Sequence, residues 1–168
     1  ILGDGLFVDR ISAWSTHFDS LTEITPEAME KYAAIIVQGK ALEGLADVSA
    51  LKEFVTRGGT LYIQGLSFWA EKTLDSLLPG LQWEPMSGHQ VAFHANDPLT
   101  DGLNSSDFRW CDDGKDGAIT NLHPIAHSMV TVAGAKAITT PAVLSLVPMG
   151  KGRIVIDQID WPTTRSAK

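Results

Sequence analysis

The sequence predicts an α/β fold, a mainly parallel sheet flanked by helices with an antiparallel C-terminal hairpin. Three observations predict it. Strand-like and helix-like stretches alternate through the first half of the chain. The run "AAIIVQ" (33–38) is continuously apolar, as a strand in a helix-covered parallel sheet is. Two β-rich runs, 142–147 and 153–159, flank "PMGKG", a loop of hairpin length with glycines suited to positive φ.

The elements follow in order. The chain opens on "IL" before "GDG", which reads as the end of a strand, and has no initiator Met. It is therefore expected to be a piece of a longer polypeptide, folded as one α/β domain over 1–168. In "TPEAMEKY" Thr25 suits an N-cap and Pro26 the first helical position, so a short helix leads into the strand at 33–38. In "LADVSALKEFVTRGG" Asp47 can cap, while Val48, Leu51, Phe54 and Val55 share one helical stripe. Gly58 suits the left-handed position after the last turn. "TLYIQ" (60–64) is β-rich, and Gly65 breaks it. Ser67 can cap the next helix, whose inner face is Ala70, Leu74, Leu77 and Leu78 before Pro79 and Gly80 stop it. This order calls for parallel strands joined by right-handed crossovers. From Trp83 to about Ala118 turn residues dominate, and "MVTVA" (129–133) is again strand-like.

Composition narrows the function. With 44% hydrophobic and 20% charged residues, the chain has ordinary globular make-up and enough length for one core. A net charge of −7 argues against nucleic acid or an anionic membrane as partner. No apolar run approaches the roughly 18 residues of a membrane helix. The single cysteine, Cys111, excludes an intramolecular disulfide and a Cys-rich metal site.

The succession "YAAIIVQG", "LKEFVTRGGTLYIQG", "DPLTDGL" and "MGKGRIVIDQIDW" resembles the class I glutamine amidotransferase-like superfamily. It is most similar to the non-enzymatic branch found inside large bacterial glycoside hydrolases, over about 33–161. The resemblance implies a catalytic cysteine in a strand-to-helix elbow, with a His and a Glu supplied later, in the enzymatic members. The elbow matching theirs is "QGLSFW", and no cysteine lies between Gly58 and Gly80. Where a His-Pro-Glu segment would stand the chain reads "DQIDWPTT"; its His123–Pro124 lies upstream, before Ile125. By this comparison the triad is missing.

Other chemistries are weighed residue by residue. Ser67 has Gly65 two positions before it, as in G-x-S-x-G, but Trp69 fills the second glycine position and would crowd a tight elbow. A helix N-cap is the simpler role for Ser67, and a serine-dependent hydrolase or amidase is the alternative. Cys111 sits in "RWCDDGKDG", where aspartates would raise a thiol's pKa rather than activate it. His17, His89, His94, His123 and His127 include an i, i+4 pair, but Pro124 and the β-rich residues after it argue against the helix that would make the pair a zinc site. "DDGKDG" fails the EF-hand pattern, since Gly114 and His123 fall where acidic ligands are needed. "GDG" and "GKG" lack the spacing of phosphate loops. No cofactor and no metal are expected.

Tryptophans supply the remaining signal. An indole face stacks on the C–H face of a pyranose, while nearby carboxylates and amides bind hydroxyls. Trp14 and Trp69 follow strand ends, on the face where parallel α/β sheets bind ligands. Trp110 lies in the turn-rich segment beside Asp107, Arg109, Asp112 and Asp113. Trp14, Trp69 and Trp110, with Asp107, Arg109 and Asp112, form the expected carbohydrate-binding set, while Trp83 and Trp161 are expected to pack. The chain is thus expected to be a non-catalytic accessory domain of a larger carbohydrate-active enzyme. It would bind a polysaccharide or oligosaccharide, or make interdomain or oligomer contacts with the rest of its parent chain. A purely structural scaffold is the further alternative. The resemblance implies a secreted or periplasmic bacterial parent, for which the sequence carries no address.

Overall fold

The computed structural model of the protein describes residues 1–3, 8, 18–43, 45–66, 71–88, 91–94, 97–103, 111–113, 119–122 and 126–159. The described helices are α1 (Pro26–Met29), α2 (Ser49–Arg57) and α3 (Glu71–Leu77). The described strands are β1 (Ala34–Gln38), β2 (Thr60–Gln64), β3 (Gln82–Gly88), β4 (Ala92–Phe93), β5 (Cys111–Asp113), β6 (Ile119–Leu122), β7 (Ala126–Thr131), β8 (Lys136–Ala137), β9 (Thr139–Thr140), β10 (Leu144–Met149) and β11 (Gly152–Asp157).

The main sheet runs β1-β2-β11-β10-β8. Pairing is parallel from β1 through β2 to β11, and antiparallel from β11 through β10 to β8. Outside β1, Leu2 bridges Val37 in parallel, and Ile1 is flanked in turn by Asp19 and Leu21. The expected mainly parallel sheet is therefore corrected to a mixed one. Connection length is the physical reason: a parallel return needs a crossover of a dozen or more residues, and only Gly150 and Lys151 separate β10 from β11.

One face of the sheet carries the larger core. Ile35 and Val37, Leu61 and Ile63, and Ile154 and Ile156 lie in register across three strands and are all buried. Met29 of α1, Leu51, Phe54 and Val55 of α2, and Leu74 and Leu77 of α3 cover them. Residues between these positions face the other way, and β1 and β2 alternate accordingly: Ile36, Gln38, Tyr62 and Gln64 are half-buried. The run at 33–38 is thus amphipathic by burial although apolar by composition. A smaller cluster of Ile138, Leu144 and Val155, with Tyr62, Phe93 and Leu99 against it, lies on that second face.

Local chemistry explains the helix ends. Thr25 Oγ1 accepts from Ala28 N at 3.2 Å, and Pro26 opens α1, as the sequence predicts. At α2 the expected cap shifts outward by one residue: Val48 holds the N-cap position, while Asp47 Oδ1 accepts from Ser49 N at 2.8 Å. Gly58 ends α2 at φ 127°, and the next amide, Gly59 N, donates to Phe54 O at 3.0 Å. The "RGG" and "GKG" segments pack on each other. A Cβ added to Gly152 would lie 2.2 Å from the carbonyl oxygens of both Val55 and Gly59, so only glycine lets this turn seat on the end of α2.

The second half departs from expectation. The segment read as turns begins at Trp83, yet Gln82–Gly88 forms β3, paired antiparallel with β7. Pro85 is tolerated because β3, among the described residues, pairs along one edge only, with β7. Trp83 pairs with Val130 and packs against the main core, as expected of it. Cys111–Asp113, also read as turn, is the strand β5, with Asp112 opposite Asn121 of β6.

"DPLTDGL" docks this half. Asp97 heads the 3-10 turn Pro98–Thr100, where its Oδ1 accepts from Leu99 N at 3.1 Å and its Oδ2 from Lys136 Nζ of β8 at 2.7 Å. The Lys136 ammonium first, then the Leu99 N–H, hold the Asp97 carboxyl below the usual carboxylate range. A carboxyl depressed in the native state stabilises the fold above its unfolded value, about 3.9, and loses that contribution as pH falls through the lower native value. Asp97→Asn is therefore expected to flatten the loss of stability below about pH 4, measured as urea midpoints across a pH series.

Candidate functional site

Three parallel strands end at one level, and their last residues share a face: Gln38 of β1, Gln64 of β2 and Asp157 of β11 are register partners in turn. Ligands of α/β proteins bind beyond this edge of a sheet. Here the edge is knit to itself. Asp157 is fully buried, and its Oδ2 accepts from the Tyr62 hydroxyl while its Oδ1 accepts from Ile159 N at 2.9 Å. Burial, then the Asp157 charge and the hydrogen bond to it, push the Tyr62 phenol well above its ordinary range. Gln64 Nε2 donates to Ile159 O at 3.2 Å, and Gly65 N to Asp157 O at 2.7 Å.

The turn after β2, the expected elbow, is gripped on both sides. Gln158, 6% exposed, accepts from Leu66 N at 2.6 Å through Oε1 and donates to Leu66 O at 3.2 Å through Nε2. On the opposite side the backbone of Gly39 abuts this turn so closely that an added Cβ would lie 2.1 Å from Gly65 O. Gly65 itself turns the chain at φ 65°. Both hydrogen-bonding groups of the Leu66 backbone are thus engaged within the fold, and the edge amide there is occupied by Gln158 rather than presented to a developing charge.

Of the expected carbohydrate-binding set only Asp112 stands among the described residues. Trp14, Trp69, Trp110, Asp107 and Arg109 lie outside the described residues, as do Ser67, Trp161, His17, His89 and His123. Asp112 and Cys111 stand in β5, and His127 in β7. His94 Nε2 lies 2.7 Å from Thr140 Oγ1, across the β4–β9 pair. Among the described residues no group of three His, Cys, Asp or Glu is placed to hold a metal ion, and no helix is long and apolar enough to cross a membrane.

Reading the sequence missed Tyr62, Asp157 and Gln158. Their signal is "DQ" closing the apolar run "RIVI": polar residues where a buried strand should stay apolar need partners inside the fold. It also missed a cavity of about 260 Å³ at the opposite end of β1, lined by Ile1, Phe18, Asp19, Lys31, Tyr32 and Ala34 among others. There Tyr32 donates to Asp19 Oδ2 at 3.3 Å, and Lys31 Nζ lies 4.9 Å from the Tyr32 ring centre.

No protein-family model matches the chain, and no curated protein matches it. Solved structures do. A cytoplasmic protein from Salmonella typhimurium LT2 superposes with a TM-score of 0.60 at 11% identity, over 96% of this chain and 78% of that one. A second cytoplasmic protein from Salmonella typhimurium gives 0.53 at 11% identity, over 97% and 79%. β-Galactosidase from Bacillus circulans sp. alkalophilus gives 0.51 at 13% identity, over 83% of this chain but only 21% of the enzyme's. At these identities the likeness is one of fold: an α/β domain of a kind found both in small cytoplasmic proteins and as a fifth of a glycoside hydrolase chain.

Proposed function

We propose that this chain is a non-catalytic accessory domain of a larger carbohydrate-active enzyme, of the amidotransferase-like kind, and that it works by contact. It binds a glycan or a protein surface, in a neighbouring domain or another copy, and transforms no substrate itself. The observation that carries this reading is the partial match: most of this chain superposes on about a fifth of a β-galactosidase. The self-paired edge supports it. A catalytic elbow needs free donors aimed at the place where charge develops, whereas Leu66 N–H is committed to Gln158 and the Tyr62 hydroxyl to Asp157. The tryptophans at 14, 69 and 110 supply the glycan-facing version of the contact, with Asp107, Arg109 and Asp112 as hydroxyl partners.

Chemistry at Ser67 is the competing reading, and a fluorophosphonate probe separates the two. Incubation followed by intact-mass measurement is expected to leave the mass unchanged. An adduct that maps to Ser67 and disappears in Ser67→Ala would overturn the proposal in favour of a serine hydrolase.

A further inference from the structure

Gln158 joins parts of the fold that the backbone ladders leave separate. Its Oε1 and Nε2 pair with the N–H and C=O of Leu66, and Nε2 also donates to Ser128 Oγ of β7 at 2.8 Å. Its own backbone N–H donates to Val143 O at 2.7 Å, ahead of β10. A primary amide has two N–H donors and one carbonyl, and here both donors and the carbonyl are used. The pairing with Leu66 copies what a neighbouring strand would do, giving one N–H and taking another. Among the described residues no backbone group pairs with Leu66, two positions past the end of β2, and a side chain stands in for one. That side chain is in turn held by Ser128, in the β3–β7 ribbon, which belongs to a different sheet.

We infer that Gln158 is a strut that makes the order of the Leu66 turn depend on the position of β7. A buried amide with every hydrogen placed has one favourable orientation. If Ser128 Oγ moves away, one N–H loses its partner and the amide is no longer held from its far side, so its two bonds to Leu66 open more readily. A contact made on the β3–β7 ribbon is thereby felt at the turn that leads towards α3, with no shift of the central strands. This goes beyond the accessory-domain reading and stands without it, because it rests on the hydrogen bonds of one side chain.

Amide hydrogen exchange on the full chain, followed by NMR, tests it directly, because the Leu66 N–H is itself one of the bonded groups. In Ser128→Ala the Leu66 amide is expected to exchange about tenfold faster, roughly the factor for one hydrogen bond. The Ile63 and Ile154 amides should keep their wild-type rates, and Ser128→Thr, which retains a hydroxyl, should leave Leu66 protected. Gln158→Leu should expose Leu66 at least as much as Ser128→Ala. Unchanged protection of Leu66 in Ser128→Ala would overturn the strut. So would equal acceleration at Leu66, Ile63 and Ile154, which reports general loosening, or full protection of Leu66 in Gln158→Leu.

Discussion

Gly39→Ala is expected to destabilise the fold by about 3 kcal/mol, the upper part of the range for overpacking a close-packed interior. The new methyl would run into the backbone of the facing turn: Gly65 O at 2.1 Å, Gly65 C at 2.6 Å and Leu66 Cα at 2.7 Å. Side chains can rotate away from an intruder, but these atoms belong to a turn already fixed by Gln158 and by Gly65 N bonding to Asp157 O. Gly65→Ala provides the contrast. Its Cβ would meet nothing within 4 Å among the described residues, so the cost expected there is that of the left-handed conformation at φ 65°, about 1 kcal/mol. Urea denaturation of both variants, with m-values compared, should place Gly39→Ala well below Gly65→Ala in stability.

Asp157→Ala is the second large effect, expected at about 3 kcal/mol. The substitution strands the Tyr62 hydroxyl and the Ile159 N–H inside the fold without their acceptors. Part of the cost belongs to the orphaned Tyr62 hydroxyl, and removing it along with the carboxylate should recover that part. The double variant Tyr62→Phe with Asp157→Leu is expected to be more stable than Asp157→Ala alone. A spectroscopic check accompanies this. Of the two tyrosines, Tyr62 should remain un-ionised when pH is raised past about 10, the ordinary phenol value, until the chain unfolds. Its native pKa is raised, so its contribution is complete below that pH and is lost as pH climbs further.

Much of the fold's first half was legible because its signals are local. Thr25 and Pro26 mark α1, the stripe of Leu51, Phe54 and Val55 marks α2, and the β-rich run before Gly65 marks β2. The mixed character of the sheet was less legible, since which strand pairs with which is decided by packing between distant segments. β3 escaped because a strand paired with β7 alone among the described residues tolerates Pro85 and needs only alternate residues such as Trp83 turned towards the core. At the sheet's carboxyl edge, the break after β2 at Gly65 was readable. The grip on it was not, because Gln158 lies 92 residues beyond Leu66 and nothing local in either segment announces the other. The tryptophan cluster was a reading of residue chemistry alone, and only Asp112 of that set stands among the described residues, in β5 rather than in a turn.

Sedimentation velocity tests the central claim, action by contact, most directly. The chain would be run alone over a concentration series and with soluble fragments from a panel of polysaccharides, β-galactans included. At least one cell is expected to show a boundary heavier than the 18.1 kDa monomer, either a self-assembly or a glycan complex. A glycan complex should vanish in Trp69→Ala with Trp110→Ala while the circular dichroism spectrum is retained. A lone 18.1 kDa boundary in every cell would contradict both glycan binding and self-assembly by this chain.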